Sequence, residues 1–515
     1  MDYIAKSVNP PDENGALSAR KFSVSPYFRV FLLFFLFFLY IFYPVMSFSN
    51  GCFFAFLNLF FAVYLLIELK VLWRFKKEFF LINPVVSASL FTFFLSFCLT
   101  NIIFLLPEDM LGLTGLTPEI FIWMNKLMLL VLTGCVAMWT GYYSRAGREF
   151  ADFVKTRPFM KKYVRKTPVL NMKTIYALVF ISLFFRLWAI KLGIYGYSST
   201  YDQLSAEGAY TMYFNMAGTL GTIALVAVAV KAFSSDPVLF RDKIILTLIV
   251  IYEVAFGFLS GFKTQVAMPF IIVGLVYYAR KNIFPKKAFL LAVIALVAAY
   301  SIIEPFRRAR YREAAFEGTD ISSIAGTLAT AYKNDYRVTA EKAPMALAIA
   351  ARFNYTYIAS LGIEYAEKNK LSENSPDFLG NLILSPLHAV VPRFIWRSKP
   401  VQEIGLWYTN EVRGFNTDRT STGMSPFTYL NFAGGLTAVI AGFFILGVFQ
   451  RGLFDGLLYF GSGGLIVFLG LFSTLVLVDS AFNAIFVNIF RYFPVLVAAQ
   501  YVLFKSSKKA GGEAA

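Results

Sequence analysis

Along the chain, apolar runs of about 20 residues alternate with short polar or basic stretches, and the runs carry almost no charge. As α-helices they are long enough to cross a hydrocarbon core of about 30 Å. In order they fall at about 28–48, 52–70, 83–106, 119–142, 174–193, 213–233, 243–260, 264–279, 287–304, 426–449, 453–477 and 481–504. The dyad alternation of a membrane β-barrel is missing. The pattern predicts an all-α polytopic membrane protein with about 12 transmembrane helices. It divides into a tail at 1–27, a helical block at 28–304, a large hydrophilic insert at 305–425, a closing block at 426–504 and a second tail at 505–515. No fixed-period repeat and no clear inverted pair of broken helices accompanies it.

The stretches between the runs assign sides. Those dense in Lys and Arg, at 70–77, 144–173 and 279–287, fall on one side of the alternation, as cytoplasmic loops do. The acidic, turn-rich PEDMLGLTGLTPE at 107–119 and the Tyr-rich loop at 193–213, which has no Lys or Arg, fall on the other. Both termini are then expected in the cytoplasm, with the insert outside. Residues 1–26 are polar and far from a signal-peptide pattern, so no cleavable leader is expected.

Composition sharpens this reading. The 515 residues are 58% hydrophobic and 18% aromatic, with a mean hydropathy of +0.61. Charged residues make up 15%, against about 25% in an ordinary soluble domain. A formal charge of +17 would suit a polyanion, but its concentration in short loops assigns it mainly to topology, and no nucleic-acid partner is expected. Cys52, Cys98 and Cys135 all fall inside apolar runs and read as packing residues rather than a disulfide or metal framework.

The insert holds the candidate chemistry. It opens with Arg307, Arg308, Arg310 and Arg312 at the outer end of the ninth run, against the usual bias of basic residues to the inside. A planar guanidinium binds phosphate in bidentate fashion, so a diphosphate is a natural target. A helix is expected over Pro344–Lys368, with Arg352 in its apolar run paired or lining a wet cavity. FLGNLILSPLHAVVPRFIW, broken by Pro386 and Pro392, suits a re-entrant or interfacial segment. It carries the only histidine, His388, either a proton acceptor or a hydrogen-bonded structural residue. Arg393, Arg397 and Lys399 follow it closely, and Arg413 and Arg419 lie further on. Glu403, Glu411 and Asp418 are competing bases. Trp396, Trp407, Tyr408 and Tyr429 are candidates to stack on sugar rings, a role that competes with simple interface marking.

Charges also lie within the runs, at Lys126, Arg186, Glu253, Lys263 and Arg491. Each is a candidate functional residue, and pairing of Arg186 or Arg491 with Glu253 is the structural alternative. The sequence has no nucleotide-sugar DxD pair, Walker A loop, HExxH or GxSxG, which withdraws support from nucleotide, metalloprotease and serine-hydrolase chemistry.

Three stretches carry a family resemblance: PRFIWRSKP at 392–400, GMSPFTYLNFAGG at 423–435 and GFLSGFKTQ at 257–265. With them the chain resembles the Wzy-type O-antigen polymerases, which join oligosaccharide repeat units. Lys263 stands where the third motif of that family usually has arginine, and Arg307 to Gly318 fits an Arg-x10-Gly spacing found in some members. The resemblance implies a GT-C-like glycosyltransferase architecture in the bacterial inner membrane. The implied reaction is a metal-independent, cofactor-free, inverting transfer on the periplasmic face. The growing glycan leaves undecaprenyl diphosphate and joins another lipid-linked repeat unit, and a polysaccharide chain-length regulator is the implied protein partner. On that reading, Arg307, Arg310, Arg352, Arg393 and Arg413 are expected to hold the diphosphate, helped by Arg397, Lys399 and Arg419. His388 is the first candidate base, with Glu403, Glu411 and Asp418 in reserve. An O-antigen ligase using the same donor and a non-enzymatic flippase of lipid-linked oligosaccharide are the alternatives.

Overall fold

The computed structural model describes residues 25–43, 49–75, 77–105, 119–164, 170–192, 194–196, 208–234, 237–312, 353–369, 375–391, 395–396, 399, 404–416, 421–476 and 481–503, with 75, 78, 105, 208–212, 300 and 304–312 as backbone. Among these residues the chain is helical and has no strand. Each predicted apolar run is helical over most of its described residues. In chain order the helices are α1 (Pro26–Phe42), α2 (Asn50–Phe75), α3 (Pro84–Phe104) and α4 (Ile120–Tyr143), followed by the short α5 (Arg145–Thr156) and α6 (Pro158–Tyr163). Then come α7 (Met172–Lys191), α8 (Gly208–Ser234), α9 (Phe240–Ser260), α10 (Lys263–Lys281) and α11 (Lys286–Arg312). The insert supplies α12 (Thr356–Lys368), α13 (Phe378–Ile383), α14 (Ser385–Val390) and α15 (Ile404–Trp407). The chain closes with α16 (Pro426–Leu458), α17 (Gly461–Leu475) and α18 (Phe482–Leu503).

Nine described helices are long and apolar enough to cross a membrane. Among the runs expected to span, α1 and α17 fall short in length, and α10 falls short through the polar residues at its ends. Rim helices turn continuous apolar faces outward, such as Phe31, Phe34 and Phe38 on α1 and Leu290, Ile294 and Val297 on α11. That is the surface a multi-pass protein offers to lipid.

The centre is α4, in which every position from Met124 to Trp139 is buried. A helix apolar on all sides belongs inside a bundle. It packs most extensively against α16, and the two backbones touch at glycines. A Cβ on Gly447 would meet the Met138 carbonyl oxygen at 2.0 Å, and one on Gly141 would meet the Phe444 carbonyl oxygen at 2.0 Å. Small residues at such crossings let membrane helices gain dispersion contacts that a lipid-embedded interface cannot gain from water release. Behind α4, Arg29 of α1 is forked onto Glu68 of α2 by contacts of 2.6 and 2.6 Å, with the Tyr64 hydroxyl donating to Glu68 at 3.0 Å.

Three boundaries differ from those expected. The helix of the ninth run, α11, continues past 304 to Arg312. The helical stretch starting at Pro426 is kinked at Gly434 and Gly435, where the backbone is non-helical, and resumes past 449 to Leu458, and its successor starts at Gly461 rather than 453. QRG at 450–452 falls between two expected runs, yet it is helical: Arg451 pairs with Asp455 at 3.1 Å and donates to the Tyr142 carbonyl at 3.2 Å. Gly452 and Gly456 meanwhile receive Phe150 and Val154 of α5. Tertiary packing therefore satisfies groups that would otherwise favour water. The third run is not one regular helix: its middle, Ala88–Phe94, is a π-helix, and Leu99–Leu105 is 3₁₀.

Consecutive helices run antiparallel, which sorts the connections to two ends. One is a basic end holding α5, α6, the Lys231–Asp242 pair at 3.1 Å and the Arg280–Ser462 contact. The other, the insert end, gathers residues 194–196, the α9–α10 turn and the described parts of the insert.

Candidate active site

At the insert end the described pieces of the insert are fastened to the bundle by polar contacts. Asn354 donates to Asn101 of the 3₁₀ turn at 2.9 Å, and the Tyr355 amide donates to the Ser96 carbonyl at 3.1 Å. Glu367 of α12 takes the ammonium of Lys126, which also lies 4.9 Å from the Trp123 ring. Lys126, a candidate functional residue within an expected span, thus finds its partner in the insert. Phe378, Trp407 and Phe432 form an aromatic cluster, with Phe378 stacked on Phe432 at 4.9 Å. Tyr429 and Tyr408 are wholly buried, and their hydroxyls donate to the carbonyls of Phe378 at 2.7 Å and Ile358 at 2.5 Å. Burial pushes the Tyr408 phenol pKa up. Neither ring keeps an open face for the sugar stacking expected of it; both brace the insert.

His388 lies on α14, which is too short to span and packs on α18. Its ring sits 5.3 Å from that of Trp396, and it is 1% exposed. Burial, and then the nearby Lys399 ammonium, lower the imidazole pKa below its usual value. Lys399 Nζ donates to the carbonyls of His388 at 2.7 Å and Val391 at 3.0 Å, closing the C-terminal turn of the helix. A cation at that position complements the helix dipole. The structure therefore brings His388, Trp396 and Lys399 together as one unit. A second group forms beyond α15, whose chain continues as a π-helix at Tyr408–Val412. There Arg413 Nη1 donates to Thr422 at 2.8 Å and its guanidinium lies 4.8 Å from the Phe415 ring, while Glu411 is exposed. Glu403, Asp418, Arg352, Arg393, Arg397 and Arg419 lie outside the described residues, as do the side chains of Arg307 and Arg310.

The cavity at this end lies elsewhere, between the α7–α10 group and the α17–α18 pair. Its volume is about 540 Å³, within the range of small-ligand sites. The α9–α10 hairpin supplies one wall through Gly257, Ser260, Phe262 and Gln265. Gly261 takes the left-handed cap there, with φ 70°, and its amide donates to Phe258 at 3.0 Å. The 194–196 loop is laid against this turn, with Tyr195 donating to the Phe256 carbonyl at 3.1 Å. From α18 come Asn488, Tyr492 and Leu496, so the helix that carries α14 also walls the cavity.

Comparison with protein-family models, curated proteins and solved structures found no match. The chemistry is accordingly read from the geometry. Deep in the cavity wall, Arg186 Nη2 contacts Glu253 Oε2 at 3.0 Å and donates to the Gly218 carbonyl at 2.9 Å. Thr222 donates to the same carboxylate oxygen at 3.4 Å, and the guanidinium lies 5.1 Å from the Tyr252 ring and 5.2 Å from that of Phe256. Of the two pairings open to Glu253, the one with Arg186 forms. Arg491 lies on α18, and its Nε has no hydrogen-bond partner among the described residues. Among those residues, no group of three or more His, Cys, Asp or Glu is placed to hold a metal ion. The sequence singled out two parts of this cavity, an acid and a base inside apolar runs and the GFLSGFKTQ stretch, but not that they meet.

Proposed function

We propose that the chain polymerises undecaprenyl-diphosphate-linked oligosaccharide repeat units into a bacterial surface polysaccharide, on the periplasmic face of the inner membrane with both termini in the cytoplasm. The observation that carries this reading is the α9–α10 hairpin. GFLSGFKTQ, one of the three stretches that resemble the polymerases, forms a wall of the cavity at the end of the bundle that holds the insert. An amphipathic polyprenyl donor suits a cavity lined by both apolar and polar side chains and bordered by lipid-facing helices.

In the reaction, a hydroxyl of one lipid-linked unit attacks the anomeric carbon of the other. The new C–O bond forms as the bond to the diphosphate breaks, the configuration inverts, and the diphosphate departs with the electron pair. The hydroxyl proton passes to a base. Fixed positive charge on a departing oxyanion is often the largest catalytic contribution, and losing one such donor costs about 10²–10³ in rate. Arg307, Arg310, Arg352, Arg393 and Arg413 are the proposed diphosphate contacts, with Arg397, Lys399 and Arg419 nearby in sequence. The base is proposed as His388, whose lowered pKa keeps it neutral and able to accept a proton at neutral pH, or one of Glu403, Glu411 and Asp418. A positioned base contributes about 10²–10⁴. A chain-length regulator is the proposed partner.

The test uses purified full-length protein with a synthetic polyprenyl-diphosphate repeat unit and chelator, with products sized on a gel. A ladder that survives chelation and is lost in Arg393→Ala supports the reading. If His388→Ala keeps the ladder, the base is a carboxylate. Transfer to a lipid A-core acceptor without a ladder makes the chain a ligase. Movement of lipid-linked substrate across vesicles without any transfer makes it a flippase.

A further inference from the structure

We infer that the Arg186–Glu253 pair is a sugar-hydroxyl subsite, the place where the glycan rather than the diphosphate of the lipid-linked substrate is recognised. The inference rests on the reading above and specifies which part of the substrate enters the cavity.

The pair is held on one side only. Glu253 Oε2 receives Arg186 and Thr222, while Arg186 Nη1 and Glu253 Oε1 have no hydrogen-bond partner among the described residues. Glu253 is 8% exposed, and both residues line the cavity. A buried guanidinium N–H and a buried carboxylate oxygen left unpaired are costly, so the arrangement is completed by what binds there. The ion pair thus keeps one spare donor, Nη1, and one spare acceptor, Oε1, and hydroxyls, which both donate and accept, are the neutral groups that satisfy both kinds of atom. A phosphate oxygen meets only half of this pair, since Oε1 repels an anion. The neutral sum of the two charges therefore selects a neutral polyol, and leaves the diphosphate to the arginines of the insert.

The surroundings match that class. Asn215, Thr219 and Asn488 add amide and hydroxyl groups to the lining, and Phe214 and Tyr492 add aromatic faces. Space for the carboxylate depends on Gly221, where a Cβ would meet Glu253 Oε1 at 2.3 Å. That contact gives a way to disturb the acceptor oxygen without altering any charge.

The experiment compares binding of two probes to full-length protein by native mass spectrometry: undecaprenyl diphosphate without sugar, and lipid-linked saccharides extracted from the producing cells. Wild type is expected to prefer the glycosylated lipid. Glu253→Gln and Gly221→Ala are each expected to weaken glycosylated-lipid binding by about ten- to hundredfold, the loss of a hydrogen bond to a charged group. Binding of the bare lipid should stay unchanged in both, which also reports that they are folded. Equal affinity of wild type for the two lipids, or a preference that survives in both variants, overturns the subsite while leaving the polymerase reading intact. Loss of the bare lipid in both variants also overturns it, because the pair then serves the fold or the diphosphate. Failure of wild type to bind either lipid defeats the polymerase reading itself, and the subsite with it.

Discussion

Glu68→Ala is expected to be among the most damaging single substitutions in the chain. The Arg29 and Glu68 side chains are 1% and 0% exposed, and two contacts of 2.6 Å join them in a fork. The guanidinium also lies 4.4 Å from the Tyr143 ring. Removing the carboxylate leaves a cation buried among apolar helices with no acid to pair with among the described residues. Breaking a buried pair from one side costs about 3–5 kcal/mol. Removing both charges at similar volume, as Arg29→Met with Glu68→Leu, also removes both desolvation penalties and is expected to be neutral or stabilising by about 1–4 kcal/mol. Tyr64→Phe deletes only the 3.0 Å hydrogen bond to the carboxylate and should cost about 1.5–3 kcal/mol. The assay is reversible unfolding in mixed micelles with increasing dodecyl sulfate, run as a double-mutant cycle. A Glu68→Ala protein within about 1 kcal/mol of wild type, or a double variant no more stable than the single, would refute the reasoning.

Gly447→Val places a branched side chain where a Cβ alone would lie 2.0 Å from the Met138 carbonyl oxygen, so α4 and α16 must separate. Misfolded or unextractable protein is the expected result, read as loss of a monodisperse peak in detergent, whereas a well-behaved variant would show that the crossing is looser. The acid side of the stability profile should belong in part to His388. Its folded pKa is lowered, so the unfolded state binds the proton more readily, and stability falls as pH drops through the unfolded value of about 6.5. His388→Gln should flatten that fall between about pH 7.5 and 5.5, and an unchanged slope counts against a buried neutral imidazole.

How far the sequence reaches differs from element to element. The long apolar helices were legible, because a bilayer requires every backbone group to be paired within the segment and so writes each crossing as a long uncharged run, whereas α5 and α6 lie in the basic stretch that reads only as a connection. Lys126, Arg186 and Glu253 were legible as costly charges inside apolar runs, each a candidate functional residue, with pairing of Glu253 to Arg186 or Arg491 as the alternative. The broken stretch around Pro386 and Pro392 was legible as too interrupted to span, and its described part forms the two short helices α13 and α14. What could not be read was anything set by a distant neighbour. QRG at 450–452 falls between two expected runs but is helix because Tyr142 and Phe150 cover it. Tyr408 and Tyr429 look like surface aromatics but are buried because α12 and α13 offer carbonyls to their hydroxyls.

The sequence by itself therefore determined the all-helical, multi-pass class, the alternation of basic and polar connections, and the costly charges inside apolar runs. Each of these follows from local transfer energetics, which depend on a residue and its near neighbours in the chain. Tertiary structure alone decided that Lys126 meets Glu367, that Arg186 rather than Arg491 meets Glu253, and that one cavity gathers α7–α10 with α17 and α18. Those choices depend on which helix faces approach one another, and among nearly uniform apolar helices that is settled by glycine contacts and side-chain fit between positions far apart in the chain.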